Sequence, residues 1–141
     1  MKLLTVLLVF LFVPWCALAA PMPEATFILD ASGSMLESAG AQTKMAAAQA
    51  VLAQVVPAVA PEVKIGLAAY GHRRENDCAD VEILLAPGTE DRAAVLARIA
   101  AMQPKGMTPI SAAVTQVADQ LKGRAAETTV VLVSDGQETC G

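Results

Sequence analysis

Ala25-Thr26-Phe27-Ile28-Leu29-Asp30-Ala31-Ser32-Gly33-Ser34-Met35 decides how the rest of the chain is read. Residues 25–29 form a nearly continuous apolar run that ends on an acid. A run without polar alternation is the mark of a strand buried on both faces, as in a parallel sheet. The small polar residues that follow, Ser32 to Gly40, read as a loop. A parallel strand needs a crossover, and one is at hand. Met45, Ala48, Leu52, Val55 and Val59 recur at steps of three and four, the stripe of an amphipathic helix, with Pro57 and Pro61 expected to end it.

Further along, Val63–Tyr70 and Val81–Ala86 read as strands joined by about ten residues, Gly71 to Asp80. That loop is too short for a helical crossover, so the pair is expected to be antiparallel. Thr89 is the expected N-cap of a helix whose first turn carries Glu90 and Asp91, and whose inner face is Val95, Ile99 and Met102. Pro104 to Gly106 is a turn. Thr108-Pro109 opens another helix with Pro at its first position and a stripe of Ile110, Val114, Val117 and Leu121. Thr128–Val133, dense in β-branched residues, is the most strand-like segment of all, and Ser134-Asp135-Gly136 turns after it. The order β-α-β-β-α-α-β implies an α/β fold: an open, doubly wound, mostly parallel sheet with helices on both faces. No internal repeat is present.

Composition narrows the function. Of 141 residues, 17% are charged and 55% apolar, which excludes solvated disorder for the whole. With 10 basic against 14 acidic residues and 4% aromatics, the chain lacks the basic footprint and stacking platforms of a nucleic-acid binder. Part of the apolar excess is at the start. Met1-Lys2, the uncharged run Leu3–Val13 and Ala17-Leu18-Ala19 form the three regions of a secretory signal peptide, residues 1–19, with cleavage expected after Ala19. The apolar stretch is about half of the roughly 20 residues that span a bilayer. Trp15 stands where a lipoprotein signal at Cys16 needs a small residue. The mature chain, residues 20–141, would carry 9 basic and 14 acidic residues, a balance of −5, and export to a periplasm or to the exterior. Its cysteines are Cys78 and Cys140, in a compartment that permits a disulfide. They could bridge each other, or Cys140 could have a partner beyond this sequence.

In an open α/β sheet, ligands bind outside the carboxyl ends of the strands. Asp30, Ser32 and Ser34 follow the first strand, Asp135 follows the last, and Thr108 opens a helix that should reach the same edge. Asp30, Ser32 and Ser34 at i, i+2 and i+4 can point one way from an extended turn, with Gly33 letting the backbone bend. All five side chains end in oxygen, which suits Mg²⁺, Mn²⁺ or Ca²⁺ and argues against zinc or copper. Each piece alone has a plain structural reading as a turn or a cap. Together, in this order, they define a candidate metal site.

The combination of DASGSM, GMTPI and VLVSDG, spread over residues 24–141, resembles the von Willebrand factor type A (VWA) domain. It is similar to that family's metal-ion-dependent adhesion site, Asp-x-Ser-x-Ser with a distant Thr and Asp. The resemblance implies that Ser32 and Ser34 ligate a cation directly, Thr108 directly or through water, and Asp30 and Asp135 through bridging waters. A cation so held keeps much of its charge and one open position, which an Asp or Glu of a protein partner can complete. The family's sheet has six strands. The resemblance therefore implies two further strand–helix units, and residues 20–141 are expected to form a partial domain with Thr128–Val133 as an unprotected edge.

The leading expectation is thus an exported binding module that recognises a protein ligand through a divalent cation, without turnover. The alternative is a metal-dependent hydrolase of phosphatase type, with Asp30 as nucleophile and Asp135 as metal ligand. A scaffold that uses the metal only for folding is a third reading. His72-Arg73-Arg74 could form a basic rim for an acidic partner, or simply a solvated loop. No Gly-x-Ser-x-Gly elbow supplies a nucleophile for the sole histidine, His72.

Overall fold

A computed structural model describes residues 21–89 and 91–141. The signal-peptide expectation lies outside these residues. Strands β1 (Glu24–Asp30), β4 (Lys64–Tyr70), β5 (Val81–Leu85) and β6 (Thr128–Val133) form one sheet in the order β5-β4-β1-β6. β1 pairs in parallel with β4 and with β6, whereas β4 and β5 are antiparallel. A two-stranded hairpin, β2 (Ser38–Ala39) with β3 (Gln42–Thr43), stands apart from the sheet. Helices α1 (Lys44–Ala58), α2 (Arg92–Ala100) and α3 (Ile110–Leu121) complete the fold. The expected doubly wound, mostly parallel α/β architecture is therefore present.

Alternation along β1 splits the core in two. Phe27 and Leu29 pack with Leu52 and Val56 of α1 and Val95 and Ile99 of α2 on one face. Ile28 packs with Ala113 and Val117 of α3 on the other. All seven residues of β1 are buried, because the strand has a neighbour on each side and helices above and below.

The helices keep the expected stripes except at one position each in α1 and α3, since Met45, Ala48 and Leu52 of α1 with Val59 at its C-cap, and Ile110, Val117 and Leu121 of α3, face the core. In α1 the buried position is Val56, while Val55 is exposed. In α3 it is Ala113, while Val114 is 38% exposed. Alanine at this contact lets the helix sit close to the sheet, which a stripe read from bulky residues overlooks. Pro57 lies in the last turn of α1, which ends at Ala58, between Pro57 and Pro61 as expected. Arg92 donates to the carbonyls of Val56, Val59 and Ala60 and satisfies this end from outside. Gln49 of α1 returns the arrangement by donating to Ile99 and Met102 at the end of α2. The N-cap of α2 is Asp91, which accepts from the Ala94 amide. Thr89 instead turns its hydroxyl back to the Ala86 carbonyl. Pro109 precedes α3 as its N-cap residue rather than forming its first turn.

Candidate functional site

β1 delivers Asp30 to the carboxyl edge of the sheet, beside Tyr70 of β4. The Asp30 side chain is fully buried. One of its oxygens accepts the Ser32 amide at 2.8 Å, and the other accepts the Ser134 hydroxyl at 2.8 Å. The first bond is a local turn, while the second ties β1 to the end of β6. The next residues are not an extended turn. Ser32 is extended, but Gly33–Leu36 winds into one 3₁₀ turn with Ser32 at its head. The convergence survives the change of geometry, since the Ser32 and Ser34 hydroxyls lie 3.1 Å apart.

Gly33 is not the glycine that shapes this edge, because a Cβ there would make only ordinary contacts. Gly71 and Gly106 shape it. Gly71 has φ +69°, and a Cβ on it would lie 2.5 Å from the Met107 carbonyl. A Cβ on Gly106 would strike the Arg74 carbonyl. Their bareness lets three loops join through backbone alone. The Gly33 amide donates to Gly106 at 2.9 Å, the Gly106 amide to Gly71 at 2.7 Å, and the Lys105 amide to Ala31 at 2.9 Å. This seam carries Thr108 to the cleft, where it is buried.

Asp135 reaches the cleft from the turn after β6, with its side chain 14% exposed. Its oxygen pairs with the Lys44 ammonium at 2.8 Å, and Lys44 also pairs with Glu37 at 2.7 Å. Lys44 holds the Asp135 carboxyl below the usual range against the opposing effect of burial, and the Ser34 hydroxyl assists. Asp135 and then Glu37 raise the Lys44 ammonium in return. Burial pushes the Tyr70 phenol well above its ordinary value. Its hydroxyl lies near Ser134 and Asp30 but makes no hydrogen bond of good geometry.

The resulting cleft, about 430 Å³, is lined by Ser34, Thr108, Asp135, Lys44, Met107 and Thr139 among others. Asp30 and Ser32 lie beneath it. All five residues expected at the site, Asp30, Ser32, Ser34, Thr108 and Asp135, sit at this one edge. Among the described residues no three His, Cys, Asp or Glu side chains converge on a possible metal position. A cation here would depend on hydroxyl oxygens, and three hydroxyls with two carboxylates match a hard cation.

Sequence reasoning missed four contributors. Lys44 is the first residue of α1, held over Asp135 by the β2–β3 hairpin through the Lys44 amide and the Glu37 carbonyl. Ser134 holds Asp30. Thr139 accepts the Thr108 amide at 2.9 Å and donates its own amide to the Thr108 carbonyl at 3.2 Å. Glu138 accepts the Ser111 amide at 2.8 Å. Only Ser134, inside the VSDG turn, carried a local signal. Cys78 and Cys140 are joined as a disulfide. The basic triplet does not form a free rim. His72 meets Glu82, Arg73 meets Asp80, and Arg74 meets Asp77. Asp80 is buried, which works to raise it. The amides of Arg74 and Arg73 and the Arg73 guanidinium nevertheless hold it below the usual carboxylate range.

A family model described as the von Willebrand factor type A domain matches residues 25–137. The uncharacterized protein YwmD of Bacillus subtilis (strain 168) is 24% identical over 123 residues, 81% of this chain and 55% of that protein. An aerotolerance-related membrane protein from Bacteroides fragilis superposes with a TM-score of 0.69 at 21% identity, over 84% of this chain and 57% of that one. The vWF domain of the type V pili tip protein Mfa5 from Porphyromonas gingivalis gives 0.59 at 22% identity, over 85% and 40%. These structures share the fold. The chain spans about half the length of the relatives it matches first.

Proposed function

The chain belongs to the von Willebrand factor type A domain family, and from that premise we propose that it is an exported binding module that recognises a protein ligand through a divalent cation. The hydroxyls of Ser32, Ser34 and Thr108 hold the cation, Mg²⁺ in the first instance, with Mn²⁺ or Ca²⁺ as substitutes. Asp30 and Asp135 stand behind them. When bound, the cation supplies a Lewis-acidic position for an Asp or Glu of the partner. Asp30 orients Ser32 through its amide, and the Ser134 hydroxyl keeps Asp30 from turning away. Carboxylates kept out of direct ligation leave the cation electrophilic enough to take a further acidic ligand.

The observation that carries this reading is the pair of adjacent hydroxyls, 3.1 Å apart, with Ser34 lining the open cleft beside Asp135 and Ser32 beneath it on Asp30. Export draws support from the leader-like start of the sequence. It is also consistent with relatives described as a membrane protein and a pilus tip protein. No helix among the described residues is long and apolar enough to cross a membrane. The hydrolase reading draws little support, because both oxygens of Asp30 are engaged and its side chain is fully buried.

Calorimetric titration tests the proposal. The folded protein is expected to bind Mg²⁺ and Mn²⁺, and Ser32→Ala to lose the heat while keeping its circular dichroism. A folded wild-type sample that takes up neither ion sinks the reading.

A further inference from the structure

The segment after Asp135 lines the cleft through Gln137 and Thr139 and is fastened at several points. Thr139 and Thr108 exchange hydrogen bonds in both directions. Helix α3 begins two residues after Thr108, behind a proline that offers no side-chain cap. Glu138 fills that role from outside, accepting the Ser111 amide at 2.8 Å and the Cys140 amide at 3.1 Å. Cys140 is then bonded to Cys78. The loop that carries Cys78 is itself fixed. Buried Asp80 accepts the amides of Arg73 and Arg74 at 2.7 and 2.9 Å, and Asp77 accepts the Ala79 amide at 2.8 Å. Residues 136–139 are exposed, so little apolar burial holds the segment down and these fastenings set its place.

We propose that the Cys78–Cys140 disulfide, acting through Glu138 and Thr139, positions Thr108 and thereby sets the affinity of the cleft for its cation. The inference rests on the cation reading above. Cys78, Cys140, Glu138 and Thr139 are positioning residues and do not touch the cation. The disulfide keeps Thr139 against the Thr108 backbone, and that contact holds the Thr108 hydroxyl at the cleft. Partners of this kind around metal ligands commonly change affinity by about 10- to 100-fold when removed.

The test uses the oxidised 141-residue chain with Mn²⁺ as probe. Free Mn²⁺ is read by electron paramagnetic resonance, and hydrogen exchange of the Thr108 amide is read without metal. Thr139→Val, which removes the acceptor but leaves the disulfide, is expected to weaken Mn²⁺ binding about ten-fold and to speed Thr108 exchange. Thr139→Ser should restore both. Reduction of the disulfide, or Cys78→Ser with Cys140→Ser, should match Thr139→Val. Unchanged Mn²⁺ affinity in both Thr139→Val and the reduced chain overturns the proposal, as does equal impairment by Val and Ser. Wild-type protein that binds no Mn²⁺ refutes the cation reading instead, and Thr108 exchange then still decides whether the strap positions that residue.

Discussion

β1 and β6 are adjacent parallel strands that look alike in sequence and differ in surroundings. Each is an apolar run that leads to an aspartate of the site. β1 lies between two strands and two helical layers, and Leu29 is fully buried. β6 is the edge of the sheet among the described residues, with Leu132 40% exposed. The aspartates follow suit. Asp30 is buried and held by an amide and a hydroxyl, whereas Asp135 sits at the rim and answers to Lys44. Apolar content thus identifies a strand without stating its place in the sheet, and that place decides how the acid at its end is stabilised.

Core truncation is the strongest way to break this contrast. Leu29→Ala is expected to cost about 3 kcal/mol, and Leu132→Ala less than about 1 kcal/mol. Denaturant midpoints check it, and equal losses would end the distinction. Next come the carboxylates. Asp30→Asn leaves a mismatched group beside the Ser32 amide and the Ser134 hydroxyl, and is expected to cost about 2 kcal/mol. Asp135→Asn should leave the midpoint nearly unmoved. Both should lose cation binding, as read by titration.

Asp80 sharpens the comparison, since it is buried like Asp30 but lies in a loop. Its pKa is lowered in the folded state. Its contribution is therefore present above the unfolded value of about 3.9 and is lost as pH falls through the folded value. Thermal midpoints between pH 7 and pH 3 should show wild type losing more stability than Asp80→Asn, with the gap closing at the acid end. An equal pH slope in both proteins would remove Asp80 from the acid response. Leu132→Lys is likewise expected to have little effect on stability. It should leave the midpoint within about 0.5 kcal/mol while lowering light scattering on storage, because a charge on an exposed edge opposes strand pairing.

Much of the fold was legible because its signals are local. The apolar run at 25–29, the β-branched run at 128–133 and the short connection at 71–80 sufficed to place the main strands along the chain and for the antiparallel β4–β5 pair. That the five candidate positions meet at one edge was legible for the same reason, since each adjoins a strand end or a helix start. What escaped depends on distance along the chain. Arg92 caps the last turn of α1, reaching the Val56 carbonyl 36 residues earlier, and Gln49 serves carbonyls some 50 residues later. Glu138 and Thr139 reach Ser111 and Thr108 across 27 and 31 residues. No periodicity announces such partners. One position in the stripe of α3, Val114, was misread for another reason. Burial there follows the fit of small Ala113 against the sheet rather than side-chain size.

The seam through Gly71 and Gly106 has a consequence for how this cleft can change over generations. It joins three loops by main-chain bonds alone, so the frame depends on two bare positions and hardly at all on the identity of their neighbours. Met107 and Gln137 are free to drift in charge and size around a fixed opening. A lineage, or a designer, could retune which surface the cleft accepts by exchanging those side chains while the scaffold beneath stays the same.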